Sequence, residues 1–429
     1  GMKRFSAVLL SAALLLAAMP FCGIGTVAAD DAHDIAYICS HQESGILEYY
    51  SCIGDGTAKE PVVTINGLVK DTDFTVAYTA NINPGNAKVT VTGIGSYSGT
   101  FDAYFEIKKS TDVQADRLFG TANRLRYPGS NRYATSQLVA NALKTSLGVS
   151  KFEAIIVADG NNYPDALSGG FLAKKKSAPI LTVSKAYEKN VQTYIENNLA
   201  DNGIVYILGG TGVVSSAFET AMKNSAVLPS ITVQRLCGSN RYDTNLAILE
   251  EAGVNSEAIL VCSGNGYADS LSASAVGLPI MLVNTSLTQK QKDFLSSIDS
   301  NRYYIIGGTG AVAGTVETQI KATLNANSQN YSGERVFGSN RYKTSTEVAK
   351  KFFEDEIDNV VFAYANNFPD GLAGGPLAMA VGAPIILTSG SYYSDAKAYV
   401  GETWITRSIT LGGTSLISDS VVNAIMKYS

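Results

Sequence analysis

The sequence predicts an α/β protein built of three tandem modules with parallel sheets, preceded by a small all-β domain. Three observations carry this. The hexapeptide Ser-Asn-Arg-Tyr-x-Thr occurs at Ser130, Ser239 and Ser339, changing only its fifth letter. After each copy, short runs rich in Val, Ile and Leu alternate with helix-length segments. That is the look of strands buried on both faces of a parallel sheet with right-handed crossovers. Residues 57–107 instead alternate apolar and polar, as antiparallel strands do.

From the N-terminus, Gly1 before Met2 reads as a cloning remnant, and Met2 to Ala29 as a secretory signal. Lys3 and Arg4 give the charged start, Ala7 to Ala18 the apolar stretch, and Val27-Ala28-Ala29 the cleavage site. The apolar run is too short to span a bilayer, and no other stretch does so, which predicts an exported protein. Cys22 leaves with the signal. Residues 30–112 form the β domain, its core over 57–107: "DFTVAY", "AKVTVT" and "AYFEI" are strands of a small sandwich, with turns at "NPGN" (Asn83) and "GIGSYSG" (Gly93). Residues 30–56 give no clear pattern. Cys39 and Cys52, close together in a secreted context, are a disulfide candidate.

The modules follow at 113–229, 230–330 and 331–429, each of roughly 100 residues and large enough for its own core. The repeated Arg132, Arg241 and Arg341 stand where a helix begins. A strand follows: "EAIIVA" at Glu153, "EAILVC" at Glu257, "NVVFAY" at Asn359. Next come "NNYPDALSGG", "GNGYADSLSA" and "ANNFPDGLAGG", with Asp165, Asp269 and Asp370 in register. The second strand is "APILTV", "LPIMLV" or "APIILT"; the third ends at Gly209-Gly210-Thr211, Gly307-Gly308-Thr309 or Gly412-Gly413-Thr414. A helix closes each copy, and a strand such as "SITVQRL" (Ser230) opens the next. Cys237 and Cys262 flank one helix-and-strand unit, either as two buried thiols or as a bridge.

The net charge of −5 is modest, and basic and acidic residues nearly balance after residue 116, which argues against a nucleic-acid partner. Catalysis has little support. The only histidines, His33 and His41, lie outside the repeats, there is no CxxC pair, and no acidic cluster recurs, since Asp159 becomes Ser263 and Tyr364. No cofactor or metal is expected. Each recurring Arg either pairs with an acid, its own module's Asp included, or offers a planar fork to an anion; it reads as the one basic residue retained in every copy. Each Asp either caps its helix or accepts hydroxyls. Gly210-Thr211, Gly308-Thr309 and Gly413-Thr414 are tight βα turns, with Thr as a helix cap, or anion sites at a helix start. Both Asp and Gly-Gly-Thr turns belong at the carboxyl edge of a parallel sheet, where ligands gather. Tyr133, Tyr242 and Tyr342 read as packing residues, and Lys174-Lys175-Lys176 as a solvated helix end.

In register, "GSNRY-T", "N-x-P-D-x-L", "P-I-[LMI]" and "GGT" resemble the cell wall binding repeat 2 family of Gram-positive surface proteins, over about residues 117–429. The resemblance implies Toprim-like, Rossmann-like modules packed as a pseudo-threefold intramolecular trimer. It also implies non-covalent anchoring to an anionic cell wall polysaccharide. Carried over by position, the polymer-binding candidates are Arg132, Asp165 and Pro179-Ile180-Leu181; Arg241, Asp269 and Pro279-Ile280-Met281; and Arg341, Asp370 and Pro384-Ile385-Ile386. Copy 2 has Ala268 where the others have Pro, and copy 1 carries an extra "TANRLRYPG" stretch near Thr121. Residues 57–107 resemble bacterial immunoglobulin-like modules. The expectation is a secreted, wall-held surface protein, not an enzyme. The alternative is an adhesin or matrix protein whose β domain holds a surface or host protein.

Overall fold

The computed structural model describes residues 31–47, 52–325, 331–353 and 357–428. The cloning remnant and signal peptide read at 1–29 lie outside the described residues. The chain forms two compact units that divide between Lys109 and Ser110.

In the first unit, strands Cys52–Ile53, Phe74–Thr79, Gly85–Gly93 and Thr100–Lys108 make one four-stranded sheet. The last three pair antiparallel; Cys52–Ile53 joins the edge parallel to Thr100–Lys108. Strand alternation supplies Phe74, Val89 and Val91, and helix Ile35–Ser40 covers them with Ile35 and Cys39. The expected sandwich is therefore corrected: among the described residues there is a single sheet, and a helix takes the place of a second one. The disulfide is corrected too. Cys39 and Cys52 are both free and buried, Cys39 under the helix and Cys52 in a separate cluster with Ala87 and Ile107. Both thiols serve as small apolar core groups.

The second unit holds three four-stranded parallel sheets. The first is ordered Ile180–Val183, Phe152–Asp159, Leu199–Leu208, Thr232–Leu236. The second is ordered Ile280–Val283, Ile259–Ser263, Arg302–Ile306, Ser332–Val336. The third is ordered Ile385–Thr388, Asn359–Tyr364, Arg407–Leu411, Arg124–Tyr127. The strand expected to open each copy is thus the outer strand of the preceding sheet. The third sheet is completed by Arg124–Tyr127, in register with Ser408–Leu411, from the beginning of the repeat region. The "extra" stretch near Thr121 is this closing strand.

Helices close the ring as well. Pro164–Ser168 and Gly170–Lys176 pack on Arg241–Ala252; Ala268–Ala273 packs on Arg341–Phe352; Gly374–Ala380 packs on Arg132–Leu147. Each module therefore leans on the next, and the third on the first. One apolar core crosses the boundaries, joining Leu172, Ile248, Leu271 and Leu377. Buried apolar area shared in this way makes the three modules one cooperative unit rather than beads on a string.

Candidate functional site

The hexapeptide and the glycine before it build one helix start three times. Asn131, Asn240 and Asn340 are N-caps whose side chains accept from the amides of Ala134, Asp243 and Lys343. Gly129, Gly238 and Gly338 lie so close to the first turn that a Cβ would fall 2.1, 2.4 and 2.3 Å from Thr135 N, Asp243 Cβ and Lys343 Cγ. Their N–H groups donate to Thr135, Thr244 and Thr344 Oγ1 at 3.1, 3.0 and 3.0 Å. Tyr133, Tyr242 and Tyr342 donate to Asn161, Asn265 and Asn366 at 3.2, 3.4 and 3.2 Å. Tyr133 also stacks on Tyr187, as a packing residue should. The variable letter is the one without a shared task; its Asp243 meets Lys290 at 2.8 Å.

Each Arg begins its helix as read, and its Nη1 donates to a strand-end carbonyl: Arg132 to Gly160 at 2.7 Å, Arg241 to Gly264 at 2.5 Å, Arg341 to Ala365 at 2.7 Å. The second contacts cross a module boundary. Arg241 reaches Tyr163 Oη at 3.5 Å with its guanidinium 5.8 Å from the ring centre. Arg341 reaches Tyr267 Oη at 2.7 Å, 5.3 Å from that ring. Tyr163, Tyr267 and Phe368 precede the Pro-Asp or Ala-Asp pair of their modules. Their rings sit 5.8, 5.5 and 5.6 Å apart, a near-equilateral triangle on a pseudo-threefold axis.

The Asp turn and the Gly-Gly-Thr turn meet at the carboxyl edge of each sheet. A Cβ on Gly209, Gly307 or Gly412 would lie 2.5, 2.5 or 2.6 Å from Oδ2 of Asp165, Asp269 or Asp370. With φ of 98°, 114° and 90°, these positions require glycine on both counts. Burial pushes the Asp165 carboxyl up to about 6, helped by Asp159 and opposed by Arg241. Burial does the same to Asp269, up to about 6, opposed by Arg341. So each of these acids feels the Arg of the following module, not its own; the reading of a pair within one module is corrected. Helix capping is corrected as well, because Tyr163 and Tyr267 hold the N-cap positions without a side-chain bond. Among the described residues Asp165, Asp269 and Asp370 accept no hydrogen bond. In the first module Asp159, also buried, accepts from Asn161 N–H at 2.9 Å.

Other assignments change. Pro179, Ile180, Leu181, Pro279, Ile280, Met281, Pro384, Ile385 and Ile386 are all buried in or beside the sheets, as core residues are. The proline carbonyls accept ladder bonds from Ile156, Leu260 and Val361. Thr211, Thr309 and Thr414 are exposed turn residues, and Ser215 and Ser418 cap the later helices, so those turns are not helix starts. Lys174 is tied across a boundary to the Gly277 carbonyl at 2.9 Å. Cys237 is exposed and Cys262 buried, both free.

Sequence reasoning missed a second recurring arginine, six positions before the first: Arg126, Arg235 and Arg335. Each belongs to an outer strand and clamps the Gly-Gly-Thr turn. They donate to the carbonyls of Gly412, Gly209 and Gly307 at 3.1, 2.8 and 3.0 Å. Each also meets an acid of the next helix: Asp419, Glu219 or Glu317. The register of the hexapeptide, extended upstream by six letters, would have found them.

The model of the cell wall binding domain 2 (CWB2) family matches residues 126–219, 235–317 and 335–422. N-acetylmuramoyl-L-alanine amidase LytC of Bacillus subtilis is 28% identical over 305 residues, covering 70% of this chain and 57% of that protein. The amidase enhancer of the same organism is 28% identical over 311 residues, covering 70% of this chain and 40% of its own length. The chain thus spans about half the length of the curated relatives it matches. Among solved structures, Cwp8 from Clostridium difficile superposes with a TM-score of 0.63 at 21% identity, covering 83% of this chain and 63% of that one. Cwp6 from the same organism gives 0.60 at 20%, covering 81% and 58%. These likenesses bear out the tandem-repeat α/β fold.

Proposed function

The chain belongs to the cell wall binding domain 2 family, and we propose that its ring holds the protein non-covalently to an anionic polysaccharide of the wall. One observation carries this reading: at two seams a carboxylate without an internal hydrogen bond, Asp165 or Asp269, lies within electrostatic reach of the guanidinium of the next module, Arg241 or Arg341. The carboxylate accepts sugar hydroxyls, and the guanidinium donates to hydroxyls and acidic groups. A near-neutral ring needs such local placement to bind an anion. Three seams on one rigid body add up by avidity. The residues assigned are Arg132, Arg241, Arg341, Asp165, Asp269 and Asp370, with the exposed turns at Gly210-Thr211, Gly308-Thr309 and Gly413-Thr414 beside them. The ring is a binding module without hydrolase chemistry of its own.

The test is retention of the pure protein on wall sacculi before and after removal of their secondary polymer. Binding should disappear with the polymer, and no soluble muropeptides should be released. Full retention on stripped sacculi would overturn the reading.

A further inference from the structure

The three seams are chemically unequal, and we infer that the one between the third and first modules, at Arg132 and Asp159, is the principal saccharide-contacting site. This rests on the wall-polysaccharide reading above. At two seams the guanidinium shares its Nη1 with a tyrosine of the preceding module. Arg241 shares Nη1 between the Gly264 carbonyl and the Tyr163 hydroxyl, over the Tyr163 ring. Arg341 does the same with Ala365 and Tyr267. At the third seam the residue in the tyrosine's place is Phe368, which has no hydroxyl. Among the described residues, the Arg132 side chain donates only to the Gly160 carbonyl and lies over no ring. No tyrosine hydroxyl shares its Nη1 among the described residues.

The first module also differs in its acid. Asp159 stands where the others have Ser263 and Tyr364, is buried, and is held by the Asn161 amide within electrostatic reach of Arg132. A fixed carboxylate beside a planar donor that serves no tyrosine suits a polyhydroxylated ligand with an acidic group. The guanidinium donates to the charged oxygen and a hydroxyl, and the carboxylate accepts from sugar hydroxyls. The other two arginines act chiefly as staples between modules.

Five variants test this, by sacculus retention and melting temperature together: R132A, R241A, R341A, the three combined, and Phe368→Tyr. R132A should weaken retention by about tenfold or more, the scale of a charged hydrogen bond. R241A and R341A should lower the melting temperature more than R132A does, and retention less. Phe368→Tyr supplies the missing hydroxyl; it should engage Arg132, keep or raise the melting temperature, and lower retention. Equal losses of retention for the three arginine variants overturn the inequality but leave the wall-binding reading standing. So does Phe368→Tyr that binds like the parent while R132A does not. If the triple arginine variant folds and still binds fully, the seams are not the site, and both fail.

Discussion

Replacing Arg126 by Ala should open the ring at one place. Its guanidinium, 14% exposed, leaves the closing strand to donate to the Gly412 and Ile417 carbonyls at 3.1 and 2.7 Å and to Asp419 at 3.0 Å. Asp419 is 61% exposed, so that ion pair contributes little, under about 1 kcal/mol. The two carbonyls decide the magnitude: hydrogen bonds from a charged donor are worth about 1.5–3 kcal/mol each, and some of this is recovered by water. The net cost is about 3 kcal/mol, which for a cooperative unit of this size, Ser110–Ser429, lowers the melting temperature by roughly 4–5 °C. Hydrogen exchange locates the loss. Amides of 124–127 and 408–417 should lose protection, while those of Thr232–Leu236 should not. Arg235→Ala is the control, since it breaks the matching bonds to Gly209 and Ser215 at the edge of the first sheet. If R126A melts like the parent, or exposes the first and third sheets equally, the closing role assigned to this strand is wrong.

The raised carboxyls give a pH prediction. Asp165 and Asp269 sit at about 6 against an ordinary 3.8, so the folded ring keeps protons that the unfolded chain loses. Their contribution to stability is full below about pH 4 and is lost as pH rises through about 6. Asp165→Asn should therefore raise the melting temperature at pH 7 more than at pH 5, while weakening wall retention; the reverse ordering would contradict the burial argument. Native alkylation should label Cys237 ahead of Cys39, Cys52 and Cys262, and denaturation should make all four reactive; a mass two units lower with Cys39 and Cys52 protected would restore the disulfide. Wall retention should fall as salt rises, because the exposed part of the attraction is screened over about 8–10 Å at physiological ionic strength; salt-independent binding would mean that charge does not drive it.

Much of the ring was legible because its signals are local. Buried strands announce themselves as unbroken aliphatic runs, and Asn before Arg marks a helix start. What stayed hidden involves residues whose partners lie in another module. Nothing near Arg241 in sequence points to Tyr163, and Arg126 finds its partners at the far end of the chain. The Pro-Ile strands were assigned to the polymer by resemblance, although their aliphatic character already spoke for burial. The first unit was misread for a related reason: three alternating strands look alike whether a second sheet or a single helix covers them, and the coverer, Ile35–Ser40, is too short for its periodicity to stand out.

The closing strand also sets a clock. During synthesis, residues 124–127 are made about 280 positions ahead of their partner Arg407–Leu411, which at typical elongation rates is roughly 15–60 s. The other two outer strands follow soon after the strands they join, Thr232–Leu236 after Leu199–Leu208 and Ser332–Val336 after Arg302–Ile306. So two sheets can be finished while the third still lacks its edge. Until the early strand returns, the newly made edge is an unpaired template open to the same strand from a neighbouring molecule. At high concentration that exchange yields linked dimers in which every module is native, so the rate of production and crowding, not stability, would govern how much protein emerges as single rings.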